Sequence, residues 1–129
     1  MPVTDSSPCP CGSGDRYGGC CAPLHRGESA APTAERLMRS RYSAFAVRDS
    51  GYLLASWHPD TRPRSVDLGA GLEWTGLDVL ATTGGSPFHK TGTVEFRAHY
   101  RDHGTPGVVH EKSEFTRAGG AWVYVGPLA

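Results

Sequence analysis

Val94-Glu95-Phe96-Arg97-Ala98-His99-Tyr100-Arg101 alternates without a break, with Val94, Phe96, Ala98 and Tyr100 on one side and Glu95, Arg97, His99 and Arg101 on the other. A period of two is the pattern of a strand with one buried and one wetted face. Three similar runs flank it. The run 72–83 puts Leu77, Val79 and Ala81 on one face before Gly84-Gly85-Ser86-Pro87 ends it. The run 108–117 follows the turn Asp102-His103-Gly104-Thr105-Pro106-Gly107, and Ala121-Trp122-Val123-Tyr124-Val125 follows the hairpin loop Ala118-Gly119-Gly120. Four consecutive strands joined by short turns predict an antiparallel meander.

Upstream the period changes to about 3.6. Ala34, Leu37, Met38, Arg41, Tyr42, Phe45 and Ala46 recur at three- and four-residue spacing, while Glu35, Arg36, Arg39, Ser40 and Arg48 lie mainly on the other side. Thr33 is an N-cap and Glu35 meets the positive end, so the spacing predicts a helix over 33–48. Asp49 caps a second short helix running through Trp57, and Pro59 stops it because a residue before proline is pushed out of helical angles. Helices followed by strands give an α+β domain with helices packed on an antiparallel sheet.

In the third run, Val109 and Phe115 fix the apolar face and thereby turn Glu111 and Ser113 inward. A buried carboxylate must pair, accept hydrogen bonds or take up a proton. Arg41, on the inward side of the long helix, is the first candidate partner and His58 the second. One reading makes this a pocket lined by Arg41, Tyr42, Trp57, His58, Tyr100 and Glu111. The other makes it an internal ion pair that fixes the helices.

All four cysteines, Cys9, Cys11, Cys20 and Cys21, lie in one stretch with four glycines between the two pairs. Four thiolates suit a tetrahedral zinc shell, and the glycines let the backbone turn tightly round a metal. Disulfides within either pair would be strained, whereas crossed bridges would require an oxidising compartment. Met1-Pro2-Val3-Thr4-Asp5 shows no secretory pattern, which gives the expectation of a cytoplasmic protein. His25 is expected to hydrogen-bond the loop rather than ligate.

The spacing C-x-C-x8-C-C, with Pro10 inside the first pair and Gly12-Ser13-Gly14 after it, resembles the SEC-C motif, best known from the tail of the protein-export ATPase SecA. That resemblance implies zinc held by Cys9, Cys11, Cys20 and Cys21. Thr33 to Phe45, then Tyr52-Leu53-Leu54, Trp57-His58-Pro59 and His110-Glu111-Lys112-Ser113-Glu114-Phe115, resemble the YchJ family over nearly the whole chain. The resemblance implies a nuclear transport factor 2-like (cystatin-like) cone with helices in a curved sheet. The zinc-binding segment would span 1–31 and the cone 32–129. Some members carry a second SEC-C segment at the C-terminus, but Gly126-Pro127-Leu128-Ala129 has no cysteine, so one zinc is expected.

The chain of 129 residues has room for about one domain, and 13 basic against 13 acidic residues supply no field to draw in nucleic acid or an anionic membrane. No apolar run reaches the length of a membrane helix. No catalytic motif such as G-x-S-x-G or H-E-x-x-H occurs. Two functions stay open. The first is a zinc-stapled interaction module that offers Ser13-Gly14-Asp15-Arg16-Tyr17 to a protein partner. The second is a small-molecule binder or enzyme that uses the cone.

Overall fold

The structure, a computed structural model, describes residues 3–128. Met1, Pro2 and Ala129, part of the chain ends read above for a secretory signal and a second cysteine segment, lie outside the described residues. A 3-10 turn at Tyr17–Gly19 and a short α1 (Ala22–His25) precede α2 (Ala34–Val47) and α3 (Ser50–Ala55). The strands β1 (Leu72–Gly84), β2 (Thr91–Asp102), β3 (Thr105–Ala118) and β4 (Ala121–Pro127) form one curved antiparallel sheet in sequence order.

Local chemistry sets the helix boundaries. Thr33 Oγ1 accepts from the Arg36 N–H at 3.1 Å, and Arg48 ends α2 in the left-handed region with φ 62°. Asp49 Oδ1 accepts from the Tyr52 N–H at 3.0 Å and starts α3. This helix stops short of Trp57 because the next residues pair with β4: Tyr124 N–H donates to Ser56 at 2.9 Å and His58 N–H to Tyr124 at 2.8 Å. Gly119 and Gly120, with φ of 60° and 86°, form the tight turn from β3 to β4 that other residues resist.

The inward face of β1 differs from the simple alternation. Register shifts between Trp74 and Gly76 and between Val79 and Ala81 each change which side the following residues face. Trp74, opposite Tyr100, therefore shares the inner face with Leu77 and Val79, whereas Ala81 is exposed. Ser40, read above on the polar side of α2, is fully buried and donates to Leu37 O at 2.6 Å.

Two groups of side chains make the core. At one end Leu37 and Met38 of α2 meet Val94, Phe115 and Trp122 of the sheet. At the other the four cysteines pack with Tyr42 and Ala98, flanked by Trp74, Leu77 and Phe96. The cysteine segment thus shares core contacts with the cone across the boundary at residue 31. Deleting residues 1–31 strips cover from Tyr42 and Ala98, and the remaining chain should lose its cooperative thermal transition by circular dichroism. A truncated chain that melts cooperatively within about 5 °C of the whole, roughly a kilocalorie per mole for a domain of this size, would refute this.

Candidate metal centre and ligand cavity

Cys9, Cys11, Cys20 and Cys21 are unbridged and buried, and their Sγ atoms all lie within 4.8 Å of one another. Cys11 and Cys20 Sγ are 3.7 Å apart, Cys20 and Cys21 Sγ 3.9 Å. Tetrahedral geometry with bonds of about 2.3 Å separates thiolates by about 3.8 Å, so the donors fit one soft metal ion. Hydrogen bonding among the sulfurs pulls the Cys11 thiol far below its usual range through Cys21 and Cys9. The same contacts with Cys11 and Cys9, followed by burial, push Cys21 far up. Four protein ligands in a buried shell leave no open position for a reacting molecule.

A second layer of contacts holds this loop to α2. Arg36 donates to the Cys20 carbonyl and, from Nη1, to Cys21 Sγ at 3.6 Å; Arg39 Nη1 donates to the Cys11 carbonyl at 2.8 Å. Ser43 Oγ lies 3.5 Å from Cys9 Sγ and Ser13 Oγ 3.1 Å from Cys20 Sγ. Burial opposes charge on Arg36, yet its pKa is raised because the hydrogen bond to Cys21 and the charges of Cys20, Cys21 and Cys11 outweigh desolvation. His25 Nε2 is 2.8 Å from the Ser40 carbonyl, which can only accept, so Nε2 carries the proton and Nδ1 accepts from Tyr17 Oη at 2.7 Å. Burial lowers the His25 pKa, with the Ser40 hydrogen bond working against it. Tyr17 is thereby committed inward, and Gly12 to Arg16 form the exposed run of the loop, with Gly19 exposed beyond it.

Between α2 and the sheet lies a cavity of about 200 Å³. Met38, Tyr42 and Phe45 border it from α2, and Trp74, Phe96 and Ala98 from β1 and β2. Its polar wall is made by Arg41, Glu111, Ser113 and Tyr124, with Trp57 beside them. Arg41 Nη1 donates to Leu53 O at 2.8 Å and Ser56 Oγ at 2.7 Å, and its guanidinium lies 4.8 Å and 4.5 Å from the ring centres of Trp57 and Tyr124. Burial pushes its pKa down to about 10, offset in part by Tyr124, Tyr52 and Glu111. It remains a cation at neutral pH.

Glu111 faces the interior, as the strand period predicts, but its donors come from the sheet rather than the helices. Ser113 Oγ and Tyr124 Oη both donate to Oε2, the latter at 3.0 Å. Arg41 is not in contact with it. The guanidinium is drawn instead to the end of α3, where carbonyls lack intrahelical partners. Burial first, then the charge of Glu111, push the Tyr124 hydroxyl pKa up.

Of the six residues read as pocket lining, Arg41, Tyr42, Trp57 and Glu111 meet at the cavity. His58 does not. In extended backbone, neighbours point oppositely; Trp57 faces in, and His58 turns out, with Nδ1 accepting from the Asp60 N–H at 3.0 Å. Tyr100 sits behind Trp74, its ring centre 5.6 Å away, over Gly107, where no Cβ would fit. Strict alternation hides Trp74, because the bulge before Gly76 brings it inward. Arg36, Arg39 and Ser43 carry no apolar signal; only their spacing along one side of α2 marks them.

Residues 33–127 match the family described as YchJ, middle NTF2-like domain. A UPF0225 protein of Streptomyces coelicolor is 57% identical over 117 residues, covering 91% of each chain. A UPF0225 protein of Deinococcus radiodurans is 45% identical, covering 92% of this chain and 86% of its own. Among solved structures, a SEC-C motif containing protein from Rhodopseudomonas palustris matches with a TM-score of 0.79 and 34% identity, over 94% of this chain and 97% of that one. Another from Psychrobacter arcticus matches with a TM-score of 0.78 and 27% identity, over 97% and 84%. With the cysteine cluster, the cone and these relatives all in agreement, the chain belongs to the YchJ (UPF0225) family.

Proposed function

We propose that this chain is a small-molecule-binding protein whose cone is stapled by a structural zinc ion. The observation that carries the reading is Arg41: only 6% exposed, on the wall of the cavity, with no carboxylate oxygen within 4.0 Å among the described residues. A core that needed only packing would not hold such a cation, since desolvation penalises it and apolar residues of similar volume stabilise at least as well. An apolar cavity of about 150 Å³ already accepts benzene, so this one has room for a ligand of that size with a polar group attached.

Zinc is supported by the donor set, for four thiolates in a closed tetrahedral shell are the structural zinc ligand set. Such reduced cysteines also support a cytoplasmic location. No described helix is long and apolar enough to cross a membrane. An interaction role for the loop would rest on Gly12 to Arg16, because Tyr17 already serves His25.

Three measurements test the zinc staple and the contacts that hold it, and the ligand panel described below tests the cavity. Protein purified reduced and without chelator should carry one zinc per chain by elemental analysis; metal near zero with disulfides by mass spectrometry would end the zinc assignment. Arg36→Ala removes the contacts with Cys20 and Cys21 and should cost about 1–3 kcal/mol, the range for orphaned buried polar groups. Chelators should also strip the variant faster, whereas unchanged chelation and stability would place Arg36 outside the staple. Finally, nitrogen-detected NMR should find His25 protonated at Nε2 and titrating below the ordinary 6.5. Because its folded pKa is depressed, the stability tied to neutral His25 is complete above about pH 6.5 and is lost as pH falls towards the folded value. A His25 pKa above 6.5 would contradict the buried neutral ring.

A further inference from the structure

The cavity presents two opposite charges that do not touch. Arg41 Nη1 is fully engaged by Leu53 and Ser56, but Nε and Nη2 make no hydrogen bond within the described residues and keep accessible surface. Glu111 has the complementary arrangement. Both donors to its carboxylate go to Oε2, and Oε1 takes none. Tyr124 links the two without closing the gap, its hydroxyl donating to Glu111 and its ring face under the guanidinium. The indole N–H groups of Trp57 and Trp74 also lack acceptors, yet both are covered, so recognition falls to Arg41 and Glu111.

These facts restrict the occupant by charge. In a largely apolar cavity the field of each group is poorly screened. An anion that satisfied Arg41 would be repelled by Glu111, and a cation that satisfied Glu111 would be repelled by Arg41. A molecule without net charge avoids both penalties if it carries an acceptor for the guanidinium and a donor for the carboxylate. Building on the reading of the cavity as a ligand site, we infer that it takes a small, flat, uncharged molecule with an amide-like edge, carbonyl to Arg41 and N–H to Glu111. Its apolar body would lie among Met38, Phe45, Trp74 and Phe96.

The test is a matched panel of benzamide, benzoate, benzylamine and benzene, titrated into the zinc-loaded full chain and followed by NMR shifts of the Trp57 and Trp74 indoles. Benzamide should bind about tenfold more tightly than each of the others, the discrimination expected when buried polar groups are left unpaired by the wrong ligand. Glu111→Gln then removes one charge and leaves Arg41 alone, so the preference should swing to benzoate. A backbone amide spectrum shows whether that variant keeps the fold. Should it not, Glu111→Asp retains the charge and must retain the order of the panel. Benzoate, benzylamine or benzene binding the unaltered protein as well as benzamide does would overturn the inference while leaving a ligand cavity in place. No shift with any of the four would show a cavity closed to ligands, and both readings would fall.

Discussion

Four sulfurs crowded within 4.8 Å of one another are the constraint on which the rest of the molecule is arranged. Four thiolates around a divalent ion would leave two negative charges in a buried place, and desolvation makes that expensive unless cations stand close by. Arg36 and Arg39, one helical turn apart on α2, supply two positive charges and four hydrogen-bond contacts between them to this loop and to Glu35 of the same helix. Guanidinium suits the task because its donors are fixed in a plane and its charge is weakly hydrated. The polar side of α2 is therefore not a solvated face but a docking face.

With one side committed to the cysteine loop, α2 can turn only its other side to the sheet. Leu37 and Met38 pack at the end occupied by Phe115 and Trp122, with Met38 and Phe115 also bordering the cavity. Towards the other end the inward positions of the sheet include small residues, Ala98 and Ser113, and the side chains above them are held away by their own partners. Arg41 is drawn to the end of α3, and Tyr42 packs with the cysteines. The cavity is the space left by these separate demands.

Periodicity made the skeleton of this arrangement legible. The alternation from Val94 to Tyr100 and the three- and four-residue spacing from Leu37 to Phe45 each state which face is apolar, and the caps Thr33 and Asp49 state where helices begin. The inward direction of Glu111 follows from the same alternation. What period cannot convey is an interruption of itself: the bulges at Thr75 and Leu80 turn Trp74 inward and Ala81 outward without any change in composition. Nor does it distinguish two uses of a polar face, so Arg36 and Arg39 read as solvent-facing until the loop they hold is seen. The partners of Arg41 were equally hidden, for one is the carbonyl of Leu53, a backbone group present in every sequence, and the other is the small hydroxyl of Ser56.

The separation of Arg41 from Glu111 is the feature that packing alone does not account for. Direct contact would give a bidentate pair, the geometry in which guanidinium and carboxylate bind most strongly. Here each group is instead held from behind, Arg41 by Leu53 and Ser56, Glu111 by Ser113 and Tyr124, so that neither can swing to the other without breaking its own hydrogen bonds. Such restraint keeps two charges apart in a medium that draws them together, at a cost to stability. On the proposed ligand-site reading it would also hold donors and an acceptor in place before a ligand arrives, which reduces the ordering cost of binding. Packing alone favours closing such a pair or replacing it with apolar residues, so the open arrangement is what supports the proposed ligand site.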